Sequence, residues 1–381
     1  MSNISFLDNV NLDTIEEIDK LKVNEIAKKV SEDIFAELQE YNISKEELYE
    51  AITKVNMFKV KFKDDICGQY YYQTNSIYLN NNFDINKKDS SIYHEIIHYL
   101  QTEFGKNNNV LRMGLLKFSK IFKIKKGEAL NEGAVQYIAS MIAKTKPKNI
   151  KYFNLEFTTP SSNYYPIETA IIRQMMYFTG TYPLIYSTLF SNDIFEKTFS
   201  CIATQEAYNA IDKQLKKVIQ LQENVSKIYL KLYDKDIREN EKVNCLNNIK
   251  KIKDIVREKT LDIQKIIYVN AFSNSLENIH NLVDIENLKN SLENFQNYII
   301  QFEGNTAYLE FKEIITKELN RKAEYLHAYG NFALGLKVKQ EIINLPKVNN
   351  INIFKIMLNK VKILMEMRFK LKRTSKEELY Y

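Results

Sequence analysis

Two histidines and a glutamate stand together in the stretch Ser90–Leu100, which reads Ser-Ser-Ile-Tyr-His-Glu-Ile-Ile-His-Tyr-Leu. The chain has four histidines in 381 residues, and half of them lie in this His-Glu-x-x-His pattern. On an α-helix, positions four apart lie roughly 40° from each other, so His94 and His98 project from one face. Two imidazoles placed in this way can bind one Zn²⁺. Glu95, on the flank of that face, could reach a water beside the metal but is badly placed as a ligand.

The residues around this pattern predict that it is helical. Asp89, followed by two serines, can cap a helix N-terminus. Ile92, Ile96 and Leu100 repeat at the spacing of a stripe that faces a hydrophobic core. The simpler alternative is a buried helix whose two histidines are satisfied by ordinary hydrogen bonds.

A second segment, Glu128–Ala139, predicts another helix, rich in small residues where it could cross the first one closely. The His-Glu-x-x-His pattern followed by Asn-Glu-Gly-Ala at positions 131–134 resembles the gluzincin group of zinc metallopeptidases. In that group the third metal ligand is a glutamate on a downstream helix, often in an Asn-Glu-Gly context. The resemblance covers about residues 55–190, and the rest of the chain is not matched to any family.

The gluzincin resemblance implies a set of roles for individual residues. His94, His98 and Glu132 would be the ligands of Zn²⁺, and Glu95 would be the general base of peptide-bond hydrolysis. The substrate would be a peptide or a protein. The chain departs from thermolysin-like members at Gln136, where they have an aspartate that orients a ligand histidine.

Two other glutamates are rival third ligands. Glu128 lies one turn before Glu132, and Glu103 lies just past the first helix. The interval from His98 to Glu132 is longer than in thermolysin and closer to that of the clostridial neurotoxin light chains. The geometry of two crossing helices favours Glu132 over both rivals.

A zinc protease also needs a donor for the oxyanion that forms during the reaction. The remaining histidines, His280 and His327, lie in the C-terminal half, which is predicted to be helical. If neither folds back, the donor is a tyrosine or an arginine, as in the clostridial light chains. The candidates are Tyr165, Tyr164 and Arg173. For either tyrosine, simple packing at a helix start is the alternative.

The elements that would position these groups predict an α+β fold. Residues 1–55 are expected to form an N-terminal helical cap, 56–190 a zincin-like metallopeptidase core, and 191–381 a mainly α-helical domain. Alternating patterns at 57–62, 69–73 and 76–79 predict a small, mostly antiparallel sheet before the active-site helices.

Three further segments have patterns that predict local structure. Residues 115–126 mix apolar and basic side chains and predict a solvated helix, with a lid or substrate-facing rim as the alternative. Residues 166–179 predict a helix with proline at its first turn and glycine after its end. Residues 360–373 form a basic amphipathic pattern, which predicts a helix with a solvated basic face or one that touches a membrane surface or an acidic partner.

The composition is that of an ordinary globular protein, with 45% hydrophobic and 27% charged residues and a net charge of +6. It does not favour nucleic acid as a partner. No apolar run approaches the roughly 18 residues of a transmembrane helix, and no signal peptide is visible. Three widely spaced cysteines fit free thiols, so we expect a cytoplasmic location.

Three functions remain open at this point. The first is a zinc-dependent endopeptidase. The second is a toxin-like protease specific for one protein. The third is a helical scaffold with a vestigial metal site, in which the C-terminal helices bind a partner protein. The intact Glu95 argues against the third, since a scaffold has no need of a base.

Overall fold

The computed structural model describes residues 14–62, 67–84, 89–106, 109–118, 125–233 and 236–329. The basic segment 360–373 lies outside the described residues. In the described ranges the chain is a mixed α+β fold in which helices predominate. The helices are α1 (Lys20–Leu38), α2 (Lys45–Thr53), α3 (Ser90–Leu100), α4 (Glu128–Ile142), α5 (Pro166–Thr179), α6 (Thr181–Leu189), α7 (Ile194–Ile202), α8 (Gln205–Leu232), α9 (Glu239–Glu277), α10 (Leu282–Phe295) and α11 (Ala307–Tyr329).

The chain divides into two compact units. The first comprises Met1–Ile267 and Phe295–Asn305, and the second comprises Tyr268–Asn294 and Thr306–Tyr381. The first unit therefore combines the expected cap and core with α7, α8 and most of α9. The sequence analysis divided the chain into three domains, with boundaries at residues 55 and 190. These boundaries stay a prediction.

The first sheet of the first unit lies directly before α3 in the chain. Its strands are β1 (Glu16–Glu17), β2 (Asn56–Val60), β3 (Gly68–Tyr71) and β4 (Ser76–Asn80), in the spatial order β1-β2-β4-β3. The outer pairs, β1–β2 and β3–β4, are antiparallel as expected, whereas the central β2–β4 pair is parallel. The pair is parallel because β4 returns from the β3–β4 hairpin and inserts beside β2. Strand β3 is therefore an edge strand.

The two N-terminal helices share one hydrophobic core with this sheet and with the helices that follow it. Ile34 of α1, Ile52 of α2, Ile77 of β4, Ile96 of α3 and Ile138 of α4 are fully or almost fully buried in it. Burial of such side chains is the main favourable term that fixes α3 and α4 against each other.

The described parts of the connector between α3 and α4 form a second sheet, so residues 116–118 and 125–126 are strands where a helix over 115–126 was expected; residues 119–124 lie outside the described residues. The antiparallel strands of this sheet are β5 (Thr102–Phe104), β6 (Val110–Met113), β7 (Leu116–Phe118) and β8 (Lys125–Lys126). A tight turn joins β6 to β7, and Gly114 adopts a φ of +57° in it. Glycine reaches this left-handed conformation without steric cost, so the chain reverses instead of continuing as a helix.

A separate hairpin, β9 (Lys148–Tyr152) with β10 (Leu155–Thr159), lies between α4 and α5. Phe153 and Asn154 form its turn with φ values of +52° and +61°, and the sequence patterns did not predict it. In the second unit, the described chain is helical as expected, and the Tyr268 and Phe311 rings pack with their centroids 4.8 Å apart. Among the described residues, no helix is long and apolar enough to cross a membrane.

Candidate metal centre

Helix α3 places both histidines of the His-Glu-x-x-His pattern in the protein interior. The helix begins at Ser90, and the Asp89 side chain accepts a hydrogen bond of 3.0 Å from the Ser91 main-chain N–H. His94 is 6% exposed and His98 is 2% exposed. Their Nε2 atoms lie 3.0 Å apart, because both side chains leave the same face of the helix one turn apart.

Glu132, from helix α4, completes a buried group with these two histidines. Its Oε2 atom lies 3.3 Å from Nε2 of His94 and 3.4 Å from Nε2 of His98. The three ligand atoms are close enough to one another to hold a metal ion. The structure thus brings together the three residues that the gluzincin resemblance pointed to.

The Glu132 carboxylate has the surroundings of a metal ligand. Its Oε2 atom is buried and accepts no hydrogen bond from the described residues. Burial alone would raise the pKa of Glu132, but the His98 and His94 rings hold it well below its usual range. A buried charged oxygen without a hydrogen-bond donor is costly unless a cation occupies the space in front of it. The donor set therefore fits a bound metal ion.

The rival glutamates do not take part in this group. Glu128 is buried, but it forms ion pairs with Lys216 and, at 3.6 Å, with Lys125. Glu103 is exposed on β5, where it pairs in register with Arg112 of β6. These positions are consistent with the preference for Glu132 as the third ligand, which the expected crossing of two helices had suggested.

Gly133, next to Glu132, explains the small residue in the Asn-Glu-Gly stretch. A Cβ atom at this position would lie 2.9 Å from the main-chain oxygen of Glu168 in α5. The small residue thus permits close contact between α4 and α5, whereas the sequence had suggested close contact with α3. The carboxylate of Glu168 is fully buried, and neither oxygen has a hydrogen-bond partner among the described residues.

Both histidines make a second contact, on their Nδ1 side, with a glutamine. His94 Nδ1 lies 2.9 Å from Oε1 of Gln136, whose Nε2 donates to the hydroxyls of Ser90 and Ser140. Since these donor bonds orient the amide, Oε1 accepts from Nδ1–H and the lone pair of His94 Nε2 faces Glu132. Gln136 thus orients the His94 ring through a neutral hydrogen bond.

Glu95 lies beside the three residues and contacts the edge strand β3. Its Oε2 atom accepts a hydrogen bond of 2.5 Å from the Tyr70 main-chain N–H. A Cβ atom at Gly68 would lie 3.2 Å from Cγ of Glu95, so this glycine leaves room for the carboxylate side chain. Glu95 is not part of the group of described residues that could hold a metal ion.

Tyr165 covers one face of the candidate centre. Its ring stacks on the His94 ring, with centroids 5.6 Å apart and planes 10° apart. The residue precedes α5 with a φ of +47°, a left-handed conformation that no sequence pattern predicted. Burial, and then the charges of Glu132 and Glu95, raise the pKa of Tyr165 well above its usual value. Its phenol therefore stays protonated and able to donate.

The other two oxyanion candidates contact different groups. The Tyr164 hydroxyl lies 2.7 Å from Sγ of Cys67, which directly precedes β3. The Arg173 guanidinium donates to the main-chain oxygen of Thr158 at 2.6 Å and lies over the Tyr298 ring at 5.4 Å. These described contacts of Arg173 are not with the metal-site residues. Its role as an oxyanion donor stays a prediction.

Sequence reasoning missed two residues that support the centre. Gln101, at the end of α3, contacts His98 Nδ1 at 2.8 Å. Asp212 of α8 accepts a hydrogen bond of 2.8 Å from the Gly127 main-chain N–H at the start of α4. The carboxylate caps the ligand-bearing helix from a distant part of the chain, where no local signal could reveal it.

Comparisons with protein-family models, with curated proteins and with solved structures find no match for this chain.

Proposed function

We propose that this protein is a zinc-dependent endopeptidase of the gluzincin type. The observation that carries the proposal is the convergence of two imidazole nitrogens and one carboxylate oxygen on a common point, with Glu95 directly following His94 in α3. Two histidines and one glutamate are the protein ligands of catalytic zinc in the thermolysin class, where one position stays open for water. The sheet with edge strand β3, followed by α3 and α4, supports a zincin-like core.

The metal that best suits this donor set is Zn²⁺. Imidazole ligands favour late first-row metals over Mg²⁺ and Ca²⁺, and one carboxylate with two imidazoles is common for zinc. Bound there, zinc would supply a water of lowered pKa and polarise a peptide carbonyl.

The side chains around the group have distinct roles in the proposed hydrolysis. Glu95 takes the proton from the attacking water and delivers it to the leaving amine, because a carboxylate next to the ligands can reach both. The hydrogen bond from the Tyr70 main-chain N–H occupies one lone pair of the Glu95 carboxylate, and the remaining lone pairs can accept the proton of the water. Tyr165 supplies a protonated hydroxyl that can donate to the oxyanion of the reaction.

A second candidate function, binding of a partner protein by the long helices, has one observation in its favour. Large apolar side chains are exposed where α8 ends and α9 begins, with Tyr233 the most exposed at 83%. The others are Tyr229, Leu230, Val243 and Leu246. Exposed apolar patches often mark interaction surfaces. A protease specific for one protein would combine both functions.

Elemental analysis of purified protein tests the metal centre. We expect about one zinc ion per chain in the wild type and clear loss in Glu132→Ala. The matched control is Glu103→Ala, which removes the exposed rival glutamate and should keep the zinc. Hydrolysis of a mixture of unstructured peptides by the zinc-loaded protein tests the activity. A wild-type chain without zinc after supplementation contradicts the proposal.

A further inference from the structure

The side chain of Gln101 is buried between the two segments that carry the proposed ligands. The residue follows α3 directly and is 1% exposed. Its Nε2 atom is placed 2.8 Å from Nδ1 of His98, while its Oε1 atom is buried without a hydrogen-bond partner among the described residues. An amide with an unsatisfied buried oxygen next to an imidazole nitrogen requires an explanation.

Exchange of the amide oxygen and nitrogen of Gln101 resolves this conflict. When the Nε2 atom of His98 faces Glu132 and a metal, Nδ1 carries the proton and needs an acceptor. The two amide atoms are nearly alike in shape, so their assignment follows from the hydrogen-bond network. With Oε1 facing His98, the oxygen accepts from Nδ1–H and is no longer unsatisfied.

The exchanged amide nitrogen then faces Asn131, the residue before the third ligand. A Cβ atom at Gly114 would lie 2.2 Å from the present Gln101 Oε1 position and 2.4 Å from Asn131 Oδ1. These two side-chain atoms are therefore close neighbours around Gly114, and only a glycine leaves room for both. Asn131 Oδ1, which accepts from the Leu115 main-chain N–H at 2.9 Å, is the acceptor that lies on this side of Gln101.

The main chain of Gln101 is held as firmly as its side chain. The Ser191 hydroxyl donates to the main-chain oxygen of Gln101 at 2.6 Å and accepts from the Gly114 main-chain N–H at 2.7 Å. Ser191 is itself buried, with a φ of +46°. Fixed on both sides, Gln101 has little freedom to leave His98, so the contact is preorganised.

We propose that Gln101 is a positioning residue of the metal centre, which accepts from His98 Nδ1–H and donates to Asn131. It would couple the helix that carries both histidines to the helix that carries Glu132. The inference rests on the proposed function only in taking the buried group as a zinc site. Loss of such an outer hydrogen bond typically weakens metal binding by about 10–100-fold.

Zinc affinity, measured by competition with a chromophoric chelator, tests the proposal in the full chain. We expect Gln101→Met, which keeps the shape and removes the acceptor, to raise the dissociation constant by about 10–100-fold. Gln101→Glu keeps an acceptor at His98 but loses the donor to Asn131, so its zinc affinity should lie between those of the wild type and Gln101→Met. The control Gln174→Met removes another fully buried amide, away from the ligands, and should leave the affinity unchanged.

Visible absorption of the Co²⁺-substituted protein gives a second readout, because the bands report the ligand geometry. The bands should shift in Gln101→Met and stay in Gln174→Met, and thermal unfolding of the metal-free proteins checks that each variant folds. Equal zinc affinity of wild type and Gln101→Met overturns the proposal. Zinc binding by Gln101→Glu that is no tighter than that of Gln101→Met also overturns it, because an acceptor facing His98 Nδ1–H would then contribute nothing.

The outcomes separate this inference from the proposed function. Unequal zinc affinities support the role of Gln101 even if the protein cleaves no peptide, and in that case the endopeptidase proposal alone fails. Peptide cleavage with equal affinities overturns the role of Gln101 alone. A wild type that binds no zinc overturns both.

Discussion

The carboxylate of Glu95 and the main-chain N–H of Tyr70 form a hydrogen bond of 2.5 Å. Because Tyr70 belongs to the edge strand β3, the bond fixes the proposed base against the strand that borders the centre. Gly68, in the same strand, leaves the space for the Glu95 side chain. The position of the base is thus decided by the strand as well as by its own helix.

Replacement of this base tests the proposed chemistry directly. Glu95→Gln keeps an oxygen that can accept from Tyr70, so we expect normal folding and an unchanged zinc content. Hydrolysis should fall by about 10²–10⁴-fold or more, because the amide cannot take the proton from water. Steady-state kinetics on a cleaved peptide measure the loss, and substantial remaining activity would exclude Glu95 as the base.

The hydroxyl of Tyr165 is the second group that we expect to act in the reaction. Tyr165→Phe keeps the ring that stacks on His94 and removes the donor. We expect kcat to fall by about 10²-fold with KM little changed, because the donor acts on the oxyanion of the transition state. Tyr164→Phe, next to it in the chain, is the control. If that variant loses the activity instead, Tyr164 is the donor.

Glu168 predicts how the stability of the metal-free protein depends on pH. Burial outweighs the lowering effect of the Glu168 main chain and the Gln222 side chain and, with a smaller contribution from Glu132, raises the pKa of Glu168 from 4.5 to about 7. The folded state therefore binds more protons than the unfolded state between these values, so stability falls as the pH rises through this window. The full loss is about 3 kcal/mol, and it is reached above pH 7.

An uncharged residue at this position should remove that dependence. We expect Glu168→Gln to be more stable than the wild type by about 1–3 kcal/mol at pH 8 and similar to it at pH 4. Urea unfolding of both proteins in the presence of a chelator measures the difference. A variant that is destabilised equally at both pH values would show that the carboxyl makes a structural contact instead.

Gly133 should be intolerant of a side chain although it lies inside a helix. Alanine would favour the helix by about 1 kcal/mol, but its Cβ atom would lie 2.9 Å from the Glu168 main-chain oxygen. Overpacking against a main-chain atom costs about 1–3 kcal/mol, so we expect Gly133→Ala to lose stability. The midpoint of urea unfolding, compared with that of the wild type, shows whether the variant is less or more stable. A midpoint above that of the wild type would mean that α4 and α5 can move apart at little cost to make room for the added methyl group.

The amino-acid sequence by itself determined the local elements. The start of α3 follows from its Asp89 cap, and the bounds of α5 follow from Pro166 and Gly180, which are signals that act within one or two turns. The common direction of His94 and His98 needs only the helical repeat. For these features the cause and the effect lie within the same few residues.

Tertiary structure decided what lies between segments that are distant in the chain. It set the parallel pairing of β2 with β4, and it formed strands at 116–118 and 125–126, within a segment whose pattern had predicted a helix. It placed Glu132 at the histidines, left Glu103 exposed, and positioned Gln101 behind His98. The physical reason is that these contacts depend on how buried surfaces pack, which the periodicity of a single segment does not specify.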